Sequence, residues 1–352
     1  MQIGVVGYKT ERGLYYLSQL FQHALSTFSS VQVLSNPLNE HYPVFEFVSE
    51  WVDSNKLDVI ISFESNAKSS LGILNLLKVK ECFGTKLIEV PMVDCFGHKW
   101  LESRGLDGFD AIICVSQFAY NLFTSYSYNK AVLIRPGFKR VDKIQTTTDE
   151  LVYLHPSGSG GVKHVKRKNS LEVLQAFVEA TKIRKDIRLL FYSQLSMPKF
   201  LDFYSNDKGL INEILQYPQV TYNFGHLDRE QFIALYNSTD VLCYPTKKEG
   251  LGLCFFEAAC YGIPAIVMNM TPYNEFIESG NGWLCRAVEQ KQWRDFFVKL
   301  HFVDIPYLTN LFVTITKEDV LEKRAAVCRL IDDLYNWDSF ILNLQQLISR
   351  VV

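Results

Sequence analysis

The stretch VLCYPTKKEGLGLCFFEAACYGIPAIVM, residues 241–268, decides the fold of this chain. An apolar strand, Val241 to Tyr244, leads into a polar turn with Gly250 and Gly252, and a helix follows before a second strand, Ala265 to Met268. The amide groups at the start of such a helix lack partners within the helix and favour an anion such as phosphate. We interpret the stretch as a strand–loop–helix–strand unit of an open parallel sheet, in which ligands bind at the carboxyl ends of the strands.

Two glutamates lie in this unit, Glu249 in the turn and Glu257 on the helix, with seven residues between them. The spacing alone is a weak signal, because helices carry glutamates at many spacings. Here the pair occurs together with a strand, two glycines and a following helix. The stretch therefore predicts a binding site rather than a linker.

Length and composition indicate an ordinary globular protein with two domains. With 352 residues, the chain exceeds the size at which a single core usually keeps growing. The hydrophobic fraction of 48% and the charged fraction of 21% are typical of soluble domains. The net charge of -2 offers no electrostatic reason to expect nucleic acid as a partner.

The sequence also predicts a cytoplasmic protein without an integral membrane segment. It lacks an apolar run of about 18 residues, and Met1 leads straight into a strand without a basic region or cleavage site. The eight cysteines are scattered, with no CxxC motif and no Cys/His cluster. We interpret them as small buried hydrophobic residues rather than as disulfide partners or metal ligands.

Strand and helix alternate along both halves of the chain. In the first half the pattern runs from Ile3 to Ile134, which predicts a parallel sheet covered on both faces, with right-handed crossovers. The polar segment Lys143–Glu150 lacks periodicity, so we expect the domain boundary there, between residues 145 and 146. The alternation resumes at Leu151, and a helix is expected around Gln290 to Leu300.

Two loops of the first half contain candidate binding residues. The segment GYKTERG, from Gly7 to Gly13, lacks the GxGxxG dinucleotide fingerprint and could simply be a turn. Its glycines also suit a close approach of an acceptor to the backbone, so Gly7 and Gly13 are weak candidates. Asp94 follows the predicted fourth strand and is a stronger one. His98 lies nearby, although a lone histidine more often caps or packs.

A basic, glycine-rich loop connects a strand to a helix at the start of the second half. Lys163 and Lys168 lie five residues apart in this loop, within the sequence VKHVKRKNS. Two ammonium groups and several amides at such a junction could surround a diphosphate. The alternative interpretation is a solvated basic face or a nucleic-acid patch.

The segments around the two glutamates resemble a known enzyme family. EGLGLCFFE (residues 249–257), with FGHLDREQFIALYNSTDVLCYPT (224–246) before it and ACYGIPAIV (259–267) after it, is similar to the retaining GT-B glycosyltransferases, especially the GT4 family, glycosyl transferases group 1. The resemblance covers the second domain nearly end to end. In the first domain it is limited to the alternation and to CVSQFAYNLF (114–123) and IRPGF (134–138).

The resemblance implies an α/β protein of the GT-B fold, with two Rossmann-like domains that face each other across a cleft. The acceptor domain would span residues 1–145, and the nucleotide-sugar domain residues 146–336. The C-terminal helix, within residues 337–352, would cross back to pack on the first domain.

The resemblance also implies roles for individual residues. Glu249 would contact the transferred sugar, Glu257 would accept hydrogen bonds from ribose hydroxyls, and Lys163 and Lys168 would neutralise the donor diphosphate. Backbone amides would come from Gly250, Leu251, Gly252 and Leu253. Glu249, Lys168 and Asp94 are the predicted catalytic residues. Asp94 matches the family's His-Asp pair after the fourth strand, with Val93 at the histidine position, and the sequence leaves open whether His98 replaces it.

The leading hypothesis is therefore a retaining hexosyltransferase that moves a sugar from a UDP- or GDP-type donor to a hydroxyl of a glycan, glycoconjugate or small molecule. The sequence contains no Asp-x-Asp motif, so we expect a reaction without metal or other cofactor. One alternative is a sugar-nucleotide epimerase on the same fold. Another is a non-catalytic subunit that binds a nucleotide sugar.

Overall fold

The computed structural model describes residues 1–7, 13–35, 44–64, 71–95, 97–143, 148–158 and 166–352. They divide into two compact units. Unit 1 comprises Met1–Phe138, Arg294–Phe297 and Leu334–Val352, and unit 2 comprises Lys139–Trp293 and Val298–Asp333. Among the described residues, no helix is both long and apolar enough to span a membrane.

Unit 1 is built around a parallel sheet. In the described part of the chain, its strands are β1 (Gln2–Gly7), β2 (Ser30–Ser35), β3 (Val59–Phe63), β4 (Lys86–Val90), β5 (Ala111–Cys114) and β6 (Ala131–Leu133). They pair in the order β2-β1-β3-β4-β5-β6. The helices between them are α1 (Gly13–Leu25), α2 (Phe45–Asn55), α3 (Leu71–Phe83), α4 (His98–Glu102) and α5 (Gln117–Ser125). Every residue of β3 and β5 is buried, as expected for a sheet covered on both faces.

Unit 2 repeats this architecture with strands β7 (Leu151–Gly158), β8 (Ile187–Ser193), β9 (Val220–Phe224), β10 (Val241–Tyr244), β11 (Ala265–Met268) and β12 (Gly282–Cys285). The sheet order is β12-β11-β10-β7-β8-β9, the doubly wound order of dinucleotide-binding folds. The connecting helices are α6 (Ser170–Ile183), α7 (Met197–Phe203), α8 (Lys208–Ile214), α9 (Arg229–Asn237) and α10 (Leu253–Cys260). The sheet reverses its strand order between β7 and β10, which is where ligands bind in such folds.

An antiparallel hairpin follows β12, formed by β13 (Ala287–Lys291) and β14 (Leu300–Val303). The helix expected around Gln290 to Leu300 is therefore wrong. Residues 294–297, between the two strands in sequence, belong to unit 1. There Phe296 forms a β-bridge with Gly97, and the Phe297 ring lies 4.0 Å from the His98 ring.

Helices α11 (Ile305–Thr314), α12 (Lys317–Leu334) and α13 (Trp337–Val351) complete the chain. Helix α13 belongs to unit 1 and packs on α1. Phe340 meets Phe21 edge to face at 5.0 Å, and Asn336 caps the helix by accepting hydrogen bonds from the amides of Asp338 and Ser339 at 2.9 and 3.0 Å. The C-terminal helix thus completes a core that begins near the amino terminus.

Candidate active site

Residues 166–169, the described part of the loop after β7, meet the loop after β10 because the two strands are neighbours in the sheet of unit 2. Val241 of β10 pairs with Tyr153 of β7, so the two strands end at the same edge. Backbone atoms join the loops beyond that edge, where the amide of Lys247 donates to the carbonyl of Arg167 at 2.7 Å. This topology places Lys168 and Glu249 side by side, although 81 residues separate them in sequence.

Glu249 is the centre of this arrangement. Lys168 donates to its Oε2 at 3.1 Å, and Arg167 donates through Nη1 to its Oε1 at 2.9 Å. The Tyr244 hydroxyl also donates to Oε2, at 3.3 Å, and itself accepts a hydrogen bond from Lys168. Both carboxylate oxygens therefore contact a cation.

Charge outweighs burial in setting the ionisation of Glu249, whereas burial prevails at Lys168. The exposed fraction is 9% for Glu249 and 7% for Lys168. Burial alone would raise the pKa of Glu249, but the neighbouring Arg167 and Lys168 lower it to about 2. Burial lowers the pKa of Lys168, and Arg167 lowers it further, while Glu249 opposes both effects. Two cationic side chains beside one carboxylate favour the approach of an anion.

Buried side chains around the ends of β7 and β10 hold the two loops in place. Asn169 has a left-handed backbone with φ of 53°, and its side-chain amide donates to the carbonyl of Pro245 at 2.7 Å. His155 joins β7 to β10 and α6, with Nδ1 2.8 Å from the Cys243 carbonyl oxygen and Nε2 2.9 Å from the Ser170 hydroxyl. Burial lowers the pKa of His155 to about 4. The imidazole is therefore neutral at pH 7, with its proton on Nδ1, because the carbonyl can only accept.

Helix α10 begins at a glycine that no other residue can replace without strain. Gly252 has φ of +86°, and a Cβ at this position would lie 2.7 Å from Cε1 of Tyr273. Gly252 carries no side chain that could cap the helix, and the buried residues Gly250 and Leu251 lead into it. Residues 250–253, whose backbone amides are predicted to bind the donor, directly follow Glu249.

Glu257 has its own partners, one helical turn further into α10. Its Oε2 accepts a hydrogen bond from the hydroxyl of Tyr236 on α9 at 3.0 Å. The Tyr236 ring stacks on Tyr261, with ring centres 5.4 Å apart. The two glutamates of the motif are thus held differently, Glu249 by two cations and a phenol, and Glu257 by a phenol among its contacts.

The candidate residues from the first half of the sequence lie in unit 1. Gly7 ends β1, and Gly13 begins α1. Asp94 is buried in a short 3₁₀ turn after β4. His98 is exposed, and its Nδ1 lies 2.8 Å from the Tyr126 hydroxyl. The amide of His98 donates to the carbonyl of Asp295 at 3.1 Å, an anchor for the start of α4.

One predicted residue, Lys163, lies outside the described residues. Conversely, the sequence reasoning missed Arg167, Tyr244 and Tyr236. Arg167 directly precedes Lys168 in the basic run, which was an available signal. A hydroxyl at the end of an otherwise apolar strand was the corresponding signal for Tyr244.

In the part of the chain that the structure describes, no group of three or more His, Cys, Asp or Glu side chains is arranged to hold a metal ion.

One protein-family model matches part of the chain. Residues 163–297 match the family model described as Glycosyl transferases group 1, and this segment contains Lys168, Glu249 and Glu257. No curated protein sequence matches the chain significantly.

Several solved structures share the fold over nearly the whole chain. HepE of Anabaena, in complex with UDP and glucose, is 13% identical with a TM-score of 0.72 and covers 99% of this chain and 100% of its own. Sucrose-phosphate synthase of Thermosynechococcus elongatus is 15% identical with a TM-score of 0.72, and the match covers 100% of this chain and 99% of the synthase chain. A glycosyltransferase of Rickettsia africae is 13% identical with a TM-score of 0.67, and the match covers 99% of this chain and 98% of the Rickettsia chain. The predicted fold, two Rossmann-like domains of the GT-B type, is confirmed.

Proposed function

We propose that this protein is a retaining glycosyltransferase that moves a sugar from a nucleotide-diphosphate donor to a hydroxyl acceptor. The observation that carries the proposal is the contact of Lys168 with Glu249 beside β7 and β10, where the sheet reverses its strand order. Both residues lie in the segment that matches the group 1 glycosyltransferase model. The retaining stereochemistry rests on the resemblance of the Glu249–Glu257 motif to retaining enzymes.

Lys168 is assigned to the donor diphosphate. Negative charge develops on the departing nucleotide diphosphate in the transition state, and a fixed cation nearby stabilises that charge. Helix α10 begins beside the same loop at Gly252, and the amides at a helix start favour phosphate. In other transferases a divalent ion stabilises the diphosphate. Here Lys168, Lys163 and the amides at the start of α10 would stabilise it instead, and we therefore propose a metal-independent reaction.

The two glutamates are assigned to the two sugars of the donor. Glu249 is ionised at neutral pH because its pKa is about 2, so it can accept a hydrogen bond from a hydroxyl of the transferred sugar. Glu257 is assigned to the ribose hydroxyls. The structure of Anabaena HepE contains UDP and glucose, so a UDP-sugar is the first donor to test.

The acceptor is assigned to unit 1, at the carboxyl ends of its strands. Asp94 follows β4 there, and Gly7 and Gly13 flank the loop after β1. The sheet of unit 1 reverses its strand order between β1 and β3, so Gly7 at the carboxyl end of β1 lies at a ligand-binding position of such folds. We propose Asp94 as the catalytic residue on this side.

Turnover of a panel of UDP- and GDP-sugars by the purified protein tests the proposal. We expect transfer or donor hydrolysis by the wild type, and kcat about 100-fold lower in Glu249→Gln and in Lys168→Ala. Glu213→Gln, an exposed glutamate on α8, is the matched control and should keep wild-type activity. Nuclear magnetic resonance of the product gives the anomeric configuration, and a chelator tests the need for metal.

Three outcomes would contradict the proposal. Isomerised free donor would indicate the epimerase, and donor binding without any turnover would indicate a binding subunit. Unchanged turnover in both site variants would refute the assignment of the site.

A further inference from the structure

Two side chains that the proposed reaction does not use contact Glu249. Arg167 donates to Oε1 at 2.9 Å, and the Tyr244 hydroxyl donates to Oε2 at 3.3 Å. Neither residue was singled out by the sequence motif. Each comes from a different element, Arg167 from the loop before α6 and Tyr244 from the last position of β10.

Tyr244 is placed to orient both members of the ion pair. Its exposed fraction is 2%, and its hydroxyl accepts from Lys168 while it donates to Glu249. Burial raises the pKa of Tyr244 well above its usual range, so the hydroxyl keeps its proton and remains a donor. The Lys168 ammonium also lies 4.2 Å from the centre of the Tyr244 ring. Lysine, tyrosine and glutamate therefore form one directed hydrogen-bond chain.

The hydrogen bonds divide unequally between the two oxygens of Glu249. Among the described residues, Oε2 accepts from Lys168 and Tyr244, whereas Oε1 accepts from Arg167 alone. An ionised carboxylate has about four lone-pair sites, two on each oxygen. Oε2 is thus filled, and Oε1 can accept one more hydrogen bond.

We propose that Arg167 and Tyr244 are positioning residues that hold Glu249 so that its Oε1 accepts a single hydroxyl of the donor sugar. The inference rests on the proposed glycosyltransferase function and deepens it into a statement about specificity. A carboxylate free to rotate could bind two vicinal hydroxyls at once. The clamped carboxylate discriminates at one hydroxyl of the transferred sugar.

The first test uses UDP-glucose and its singly deoxygenated analogues with wild type and Glu249→Gln. In the wild type, the analogue without the recognised hydroxyl should lose about 10- to 100-fold in kcat/KM, the range for a hydrogen bond to a charged group. In Glu249→Gln that loss should shrink for this one analogue only. If the losses for two analogues shrink together, Glu249 binds two hydroxyls and the inference is wrong.

The second test removes the clamping groups. Tyr244→Phe keeps the ring and deletes only the hydroxyl, so the protein should still fold, with Tm lowered by no more than several degrees, while kcat falls about 10-fold with little change in donor KM. With one lone pair of Oε2 released, the discrimination among the analogues should broaden to a second hydroxyl.

The third test is the pH dependence of kcat in Arg167→Gln and Arg167→Lys. The titratable or charged side chains near Glu249 are Arg167, Lys168, Tyr244, Cys254 and Tyr273. Loss of the Arg167 charge should raise the pKa of Glu249, so the acid limb of the Arg167→Gln profile should move up by about one pH unit or more. Arg167→Lys retains the charge and should restore most of the wild-type profile.

The outcomes separate this inference from the proposed function. Transfer by the wild type together with unchanged profiles and unchanged discrimination in Tyr244→Phe and Arg167→Gln would overturn the positioning roles alone. A wild type that turns over no nucleotide sugar would overturn the proposed function and this inference with it.

Discussion

Glu249 is a buried carboxylate between two cationic side chains, Arg167 and Lys168. Its ionisation depends on both neighbours, since desolvation acts in the opposite direction and disfavours the charged form. The same contacts connect the loop after β7 to the loop after β10. A residue assigned to substrate binding therefore also contributes to the stability of unit 2, and that contribution depends on pH.

The stability contribution of Glu249 should disappear in acid. Its pKa is lowered from 4.5 to about 2, which corresponds to about 3 kcal/mol at pH 7. The unfolded chain takes up the proton first as the pH falls through 4.5, so this contribution is complete above that pH and is lost towards pH 2. We expect Glu249→Gln to be less stable than wild type at pH 7, with the difference reduced to about 1 kcal/mol at pH 3.

Urea unfolding at both pH values measures the difference in free energy of unfolding. Glu213→Gln, which is exposed, should show a small difference at either pH. A deficit of Glu249→Gln that stays constant from pH 7 to pH 3 would contradict the assigned pKa shift.

At the scale of elements, the strand-to-helix turn before α10 depends on backbone conformation as well as on the side chains of the motif. Gly252 has a positive φ and lies against the Tyr273 ring, so both the turn and the close packing require glycine. In the β13–β14 hairpin, by contrast, the local sequence pattern does not match the structure. Trp293, Phe296, Phe297 and Leu300 have helical spacing, yet residues 294–297 belong to unit 1, where Phe296 forms a β-bridge with Gly97, and the flanking segments pair as strands.

Gly252→Ala should destabilise unit 2. The substitution forces a left-handed conformation on alanine, at about 1–2 kcal/mol, and brings its Cβ to 2.7 Å from Tyr273. We expect Tm to fall by several degrees. Gly209→Ala is the matched control, because Gly209 lies in α8 with no heavy atom within 4 Å of the added Cβ, and there alanine should be neutral or stabilising by up to about 1 kcal/mol. Equal Tm values for both variants would refute the argument from strain.

At the scale of the whole molecule, neither unit is a continuous segment of chain. Unit 1 needs its C-terminal segment, because α13 packs on α1 through Phe340 and Phe21. Gly137 lets the segment after β6 lie close to α13, since a Cβ there would lie 2.5 Å from Cβ of Phe340. Helix α13 is therefore part of the core of unit 1, the same unit that contains β1.

Phe340→Ala should destabilise unit 1 by about 3–5 kcal/mol, the cost of removing a buried aromatic ring. Leu342→Ala on the same helix is the control, because the Leu342 side chain is 53% exposed and its loss should cost less than about 0.5 kcal/mol. Chemical unfolding followed by tryptophan fluorescence measures both, since Trp337 lies on α13. Similar unfolding curves for the two variants would show that the contact between α13 and α1 contributes little.

Much of this architecture could be predicted from local patterns. Buried strands such as β3 and β5 are apolar throughout, and amphipathic helices separate them, so the alternation predicts two covered parallel sheets. The Glu249–Glu257 motif was visible for the same reason, since its residues are close in sequence and its strand, turn and helix are each set by nearby residues.

The partners of Glu249 could not be read from the chain in this way. Lys168 lies 81 residues away, and the contact exists only because β7 and β10 are neighbours in the sheet. Backbone geometry sets the periodicity of strands and helices within a few residues, so the sequence was sufficient for the motif and for most elements, but not for the β13–β14 hairpin. Strand order depends on packing over the whole unit, and that long-range packing brought Arg167 and Tyr244 to Glu249.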